Sequence, residues 1–293
     1  MIYVIVGPTA SNKTKASIEI ANRLSAPIIN ADAFQIYKDM NIGTAKISKD
    51  DQYYKNHYLL DLVTPDQSFS VKEYQSIFRK TLNDLLNKHK DVVICGGTGL
   101  YIKASLYDYE FLAEDDNKDY GLDKLSNEEL YNELVLLDKS ASEKIHPNNR
   151  KRLIRALTLI KNNNIKKSDL INNQLHELIY DKDNIRFLFI NPPRELLYEN
   201  INKRVDDMFD HGLVDEVKNL LIKYNLSITA KQAIGYKEVI DYLNGLLTLE
   251  ECKELIKKRT RNYAKRQVTF FKNQFKCETF ESFSDLLKEI FHE

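Results

Sequence analysis

The first fourteen residues constrain this chain more than any other stretch. An apolar run, Ile2-Tyr-Val-Ile-Val6, leads into Gly7-Pro-Thr-Ala-Ser-Asn-Lys-Thr14 and then into an amphipathic pattern over 13–24. Strand, short polar loop and helix in that order are the context a phosphate-binding loop requires. Consecutive backbone N–H groups and a helix N-terminus converge on an anion, a lysine reaches its oxygens, and a hydroxyl ligates Mg²⁺. The candidate phosphate ligands are Gly7, Thr9, Ala10, Ser11, Asn12, Lys13 and Thr14, with Thr14 as the metal ligand. Asn12 stands where the pattern has glycine. Asn tolerates positive φ better than most residues, so the loop is expected to close around it. The bland alternative is a Ser/Thr-rich turn that only caps a helix.

Apolar runs at 2–6, 27–30, 92–95 and 186–190 alternate with helical patterns at 13–24, 71–87 and 99–106. That alternation predicts an α/β fold, a P-loop-type parallel sheet flanked by helices. The acidic stretch from Glu110 to Asp119 and a helical segment near 126–137 precede His146-Pro147. We read 109–145 as a small helical insertion between two parts of a catalytic core, 1–108 and 146–293. Beyond Arg194 the periodicity is almost wholly helical, which predicts a helix-rich C-terminal half.

The 293 residues carry no net charge, which argues against a uniformly basic nucleic-acid binder, yet the charge is uneven. Arg150 to Lys167 holds seven basic residues and no acidic one, and Lys253 to Lys276 holds nine against Glu254 alone. Each run reads alone as a solvated helix face; two in one balanced chain point to a polyanion groove. Cys95, Cys252 and Cys277 are widely spaced and the histidines lack metal-ligand spacing, so no zinc site is expected. No apolar run reaches membrane-spanning length and no basic n-region precedes the first strand. The expectation is a protein without membrane association, in the cytoplasm.

Ligands of open α/β sheets collect at the carboxyl ends of strands. Two such ends lie beside the phosphate loop. One runs from Pro27-Ile-Ile-Asn30 into Ala31-Asp32-Ala33-Phe34-Gln35, and the other from Val92-Val-Ile-Cys95 into Gly96-Gly97-Thr98-Gly99. An ATP-hydrolysing P-loop protein usually ends the second strand with an Asp for Mg²⁺; Gly-Gly-Thr here points to a phosphate other than that of ATP. Each end has a plain alternative, Asp32 as a helix cap and Gly96-Gly97 as a tight turn. His57 and His146 are assigned no chemistry.

Taken with Ala31-Asp-Ala-Phe-Gln-Ile-Tyr37, Ile42-Gly-Thr-Ala-Lys46, Gly96-Gly-Thr-Gly-Leu-Tyr101, Ile145-His-Pro-Asn-Asn149, Arg152-Leu-Ile-Arg-Ala-Leu157, Gln232-Ala-Ile-Gly-Tyr236 and Tyr263-Ala-Lys-Arg-Gln267, the phosphate loop resembles the tRNA dimethylallyltransferases (tRNA isopentenyltransferases), of bacterial type. These blocks run in family order from residue 1 to about 272. The resemblance implies transfer of a dimethylallyl group from dimethylallyl diphosphate to N6 of the adenosine 3′ of the anticodon, with Mg²⁺ as cofactor.

It further implies that the loop and Arg204 bind the diphosphate, that Lys13 neutralises the leaving group, that Asp32 orients the amine and takes its proton, and that Thr98 positions the reacting centre. Asp32, Ala33, Phe34 and Gln35 would receive the unstacked base. Lys151, Arg152, Leu153, Ile154 and Arg155, and Gln232, Gly235, Tyr236 and Lys237, resemble the segments that contact tRNA; Lys257, Lys258 and Arg261 would track the phosphodiester backbone. The implied partner is the anticodon stem-loop, with no obligate protein partner. Two departures stand out besides Asn12. Ala33 replaces a common Ser, and the insertion is shorter than is typical. The competing readings are an adenylate isopentenyltransferase, a small-molecule P-loop kinase, and a non-catalytic RNA-binding relative with a degraded loop.

Overall fold

The computed structural model describes residues 1–111, 120–166, 168–169 and 177–292. The chain divides into two compact units, Met1–Leu106 with Tyr180–Glu293, and Tyr107–Ile179.

The first unit is built on a parallel sheet of β1 (Ile2–Val6), β2 (Ile28–Asn30), β3 (His57–Tyr58), β4 (Val92–Gly96), β5 (Ile185–Ile190) and β6 (Glu278–Phe280), in the order β3-β2-β4-β1-β5-β6. β1, β4 and β5 lie at its centre, buried on both faces, which is why they read as near-continuous apolar runs. β2 begins one residue later than the apolar run because Pro27 has no N–H, although its carbonyl still accepts from Val93 N at 2.9 Å. The edge strands β3 and β6 are additions to the expected set. They are two and three residues long and partly exposed, so they lack an apolar run to announce them.

Helices α1 (Lys13–Leu24), α2 (Val71–Leu86) and α3 (Gly99–Leu106) occupy the expected segments. Ser70 and Glu73 start α2 with a reciprocal capping box: Ser70 Oγ accepts the Glu73 amide at 3.2 Å, and Glu73 Oε2 accepts the Ser70 amide at 2.8 Å.

The second unit contains α4 (Asn127–Leu137), α5 (Lys139–Ser142) and α6 (Arg150–Asn163). It corrects the expected boundary, since 146–179 belongs with the insertion and not with the core. The cause is the apolar face of α6. Leu153, Ala156, Leu157 and Ile160 pack with Leu130, Leu134 and Ile145 in one cluster. Residues 112–119, most of the acidic stretch, lie outside the described residues, as does Lys167.

The C-terminal part of the first unit is helical, as expected, apart from β6. It comprises α7 (Arg194–Asp210), α8 (Leu213–Lys223), α9 (Ile228–Lys231), α10 (Tyr236–Leu243), α11 (Leu249–Gln274) and α12 (Phe283–Phe291). Val205, Leu213, Val217, Tyr236, Val239 and Ile256 pack with Ile36 and Tyr37 into a second core beside the sheet. No helix among the described residues is long and apolar enough to cross a membrane.

Candidate active site

The loop after β1 adopts the conformation its sequence demands. Asn12 has φ 64° and ψ 19°, left-handed, and is followed directly by the first turn of α1. Ala10 is left-handed too, at φ 63°. Gly7 lies so close to β5 that a Cβ there would stand 2.6 Å from the Ile190 carbonyl oxygen. Ser11 is buried, and its hydroxyl has no hydrogen-bond partner among the described residues. Lys13 is folded back on the loop, donating to Pro8 O at 3.0 Å.

The three strand ends open onto one cavity of about 990 Å³, its open mouth included. Thr9, Lys13 and Thr14 line it from the loop, Asp32, Phe34 and Gln35 from the end of β2, Cys95 and Gly96 from β4, Arg204 from α7, and Tyr236 from α10. A cleft on the other side of the loop, bordered by Ala10, Ser11 and Asn12, shares Lys13, Thr14 and Arg204 with this cavity. Two cations therefore stand at the junction of two openings. Burial lowers the Lys13 pKa and Arg204 adds to the effect, with nearby Asp32 opposing it; burial likewise lowers that of Arg204. An anion placed between them would relieve both. Thr14, exposed at the start of α1, offers a hard hydroxyl oxygen that would suit a divalent cation. No cluster of three His, Cys, Asp or Glu side chains suited to a metal occurs among the described residues.

Asp32 is set by its surroundings. Asn30, buried, accepts the Asp32 amide at 3.2 Å and donates to Leu59 O at 3.1 Å, shaping the turn. Asp32 Oδ1 accepts the Phe34 amide at 2.9 Å, so the carboxylate closes a turn and not a helix N-terminus, while the side chain still lines the cavity. Thr98 holds the neighbouring turn, its Oγ1 accepting the Ala33 amide at 2.9 Å. Gln35 is tied to the opposite wall by donating to Thr44 O at 3.1 Å.

Several side chains that the sequence did not single out complete the cavity. Thr260, Tyr263 and Gln267, on the inner face of α11, line it. Burial, then the proximity of Asp32, pushes the Tyr263 phenol upward, which keeps it a neutral hydrogen-bond donor. The Tyr263-Ala-Lys-Arg-Gln267 block was the sequence signal for Tyr263 and Gln267; Thr260 lies outside it.

The candidate RNA-contacting residues separate by burial. On α6, Lys151, Arg152 and Arg155 are exposed and Ile154 is half-buried, but Leu153 is fully enclosed in the core of its unit and is withdrawn as a surface contact. Gln232 and Lys237 are exposed, whereas Gly235 and Tyr236 are buried; Tyr236 is a cavity wall. On α11, Lys258 is exposed, but Lys257 is engaged by Asp206 at 2.9 Å and Glu254 at 3.1 Å, and Arg261 donates to Asn202 Oδ1 at 2.6 Å. The long basic run is thus partly internal pairing. Lys265 and Arg266, also on α11, are exposed.

The IPP transferase family model matches residues 35–274. The chain is 42% identical to a tRNA dimethylallyltransferase of Anoxybacillus flavithermus over 98% of its own length and 92% of that protein's, and 41% identical to one of Bacillus licheniformis over 96% and 90%. Among solved structures, a tRNA isopentenylpyrophosphate transferase of Staphylococcus epidermidis superposes with a TM-score of 0.72 at 38% identity, covering 99% of this chain and 97% of the other. A eukaryotic dimethylallyltransferase acting on tRNA superposes with a TM-score of 0.80 at 26% identity, covering 95% of this chain and 73% of the other. With the family model spanning residues 35–274 and relatives about 40% identical over nearly its whole length, the chain belongs to the IPP transferase family.

Proposed function

We propose that this protein transfers a dimethylallyl group from dimethylallyl diphosphate to N6 of the adenosine immediately 3′ of the anticodon in tRNA. The carrying observation is one cavity in which a phosphate loop, Lys13 and Arg204 share walls with a carboxylate, Asp32. The cations suit a diphosphate leaving group, and the carboxylate suits an amine that must lose a proton.

The allylic C–O bond breaks as the diphosphate leaves with the bonding pair, and its growing charge falls on the loop amides, Lys13 and Arg204. The N6 lone pair forms the new C–N bond, and the proton that N6 sheds passes to Asp32. Mg²⁺, when bound at Thr14, would neutralise further charge on the diphosphate. Thr98 and Asn30 hold the turn that aims Asp32. Phe34 and Gln35 border the space where an unstacked adenine would sit. Lys151, Arg152 and Arg155, with Gln232, Lys237, Lys258 and the half-buried Arg261, are the candidate contacts for the anticodon stem-loop. In this reading the enzyme works in the cytoplasm without a protein partner.

The test is direct. The protein is incubated with labelled dimethylallyl diphosphate, Mg²⁺ and either tRNA or AMP. Label in tRNA alone is the expected result; label in AMP would make the protein an adenylate isopentenyltransferase, and label in neither would overturn the reading.

A further inference from the structure

Gln267, only 5% exposed on the inner face of α11, uses both ends of its amide. Its Oε1 accepts the Thr9 amide at 2.9 Å, and its Nε2 donates to the Gly97 carbonyl at 2.8 Å. Thr9 belongs to the phosphate loop. Gly97 precedes Thr98, whose amide donates to Ala31 O at 3.1 Å and whose Oγ1 accepts from Ala33. The β1–β4 ladder ends at Val6 and Gly96, so beyond it no strand pairing holds these two loops together. One side chain from a distant helix spans the gap. The orientation of the amide is dictated by its partners, since a flipped amide would face donor to donor and acceptor to acceptor.

The fit is close. A Cβ on Gly97 would stand 2.5 Å from Gln267 Nε2, so the glycine leaves room for the amide. Asp32 lies between Ala31 and Ala33, both of which are bonded to Thr98. A shift of Gly97 is therefore passed to the turn that carries Asp32, while a shift of Thr9 is passed to the phosphate loop.

We propose that Gln267 is a positioning residue for prenyl transfer. Through Thr9 and Gly97 it fixes the spacing between the loop that holds the leaving group and the turn that holds the base. The proposal rests on the reaction given above. Because a misplacement of about 1 Å between reacting groups costs on the order of 10²-fold, loss of the clamp should act on the chemical step and not on RNA binding.

The experiment measures single-turnover transfer at saturating donor and tRNA, with tRNA affinity measured separately in the absence of donor. Gln267→Leu should slow transfer by about 10–100-fold while tRNA affinity stays within about twofold. Gln267→Glu keeps an acceptor for Thr9 but cannot donate to Gly97, and should be comparably slow. Gly97→Ala displaces the same amide from the other side. The double variant Gln267→Leu/Gly97→Ala should be no slower than the slower single variant, because both break one clamp. A Gln267→Leu enzyme within threefold of wild type, or losses that multiply in the double variant, would overturn the proposal. Should Gln267→Leu fail to fold, Gly97→Ala decides: a slow, folded enzyme supports the clamp and a wild-type rate sinks it. A wild-type protein that does not prenylate tRNA would instead remove the reaction itself.

Discussion

Tyr236 donates its phenolic hydrogen to Glu216 Oε1 at 2.7 Å, while Glu216 Oε2 accepts the amides of Asn41 at 3.0 Å and Ile42 at 2.8 Å. One carboxylate from α8 thus organises a cavity wall and the loop across from it. Glu216→Ala should cost about 2–4 kcal/mol, since it strands a buried phenol and several amides, whereas Tyr236→Phe should cost about 1 kcal/mol. Denaturant unfolding checks both, and equal costs would contradict the arrangement.

Asp32→Asn separates base from positioner. The Asn oxygen can still accept the Phe34 amide, so the turn should survive, but the side chain cannot take the proton. Single-turnover transfer should fall by about 10²–10⁴-fold with tRNA affinity nearly unchanged. Transfer within a few-fold of wild type would return Asp32 to a purely structural turn.

The lowered pKa of Lys13 has a direction that can be tested. In the empty cavity, burial and then Arg204 make its ammonium unfavourable, with Asp32 opposing. That unfavourable contribution to folding is fully present below the lowered pKa and fades as pH rises towards the ordinary lysine value. A bound diphosphate reverses the sign by raising the pKa. Above the lowered value donor binding takes up a proton, so donor affinity should fall as pH rises, and Lys13→Ala should weaken binding and flatten that dependence. Calorimetry across the alkaline range is the check; a pH-independent wild type would refute it.

Salt dependence should sort the basic residues of α11. Lys258→Glu and Lys265→Glu, both exposed, should each reduce the slope of log affinity for tRNA against log salt by about 1 or more if they meet phosphates. Lys257→Ala should leave the slope alone, because its charge is already met by Asp206 and Glu254. An unchanged slope in the first two would make that face merely solvated.

How much was legible varied with the physics that decides each feature. The central strands and the phosphate loop follow from local patterns, and the left-handed Asn12 follows from what asparagine tolerates. The edge strands β3 and β6 depend on partners far away in sequence, and nothing in His57-Tyr58 or Glu278-Thr279-Phe280 announces them. His146-Pro147 reads as the end of the insertion, but the apolar face of α6, Leu153, Ala156, Leu157 and Ile160, chooses where that helix packs and carries the boundary past it.

The candidate site divides in the same way. Asp32, Lys13 and Thr14 are recognisable beside strand ends, but Gln267, Asn30 and Glu216 act through hydrogen bonds to backbone groups that only the folded chain brings near. The α11 run is less free than its charge count implies, because Asp206 and Asn202 on α7 meet Lys257 and Arg261.

The position of β1 between β4 and β5 has a consequence for biosynthesis. The strand is made before its two neighbours, which begin at Val92 and Ile185, and Gly7 cannot seat against Ile190 until β5 exists. The residue that spans Thr9 and Gly97 follows later still. Vectorial synthesis therefore leaves the phosphate loop without its full set of walls until Gln267 has been made. During that interval the apolar β1 has unpaired edges, which exposes it to intermolecular pairing.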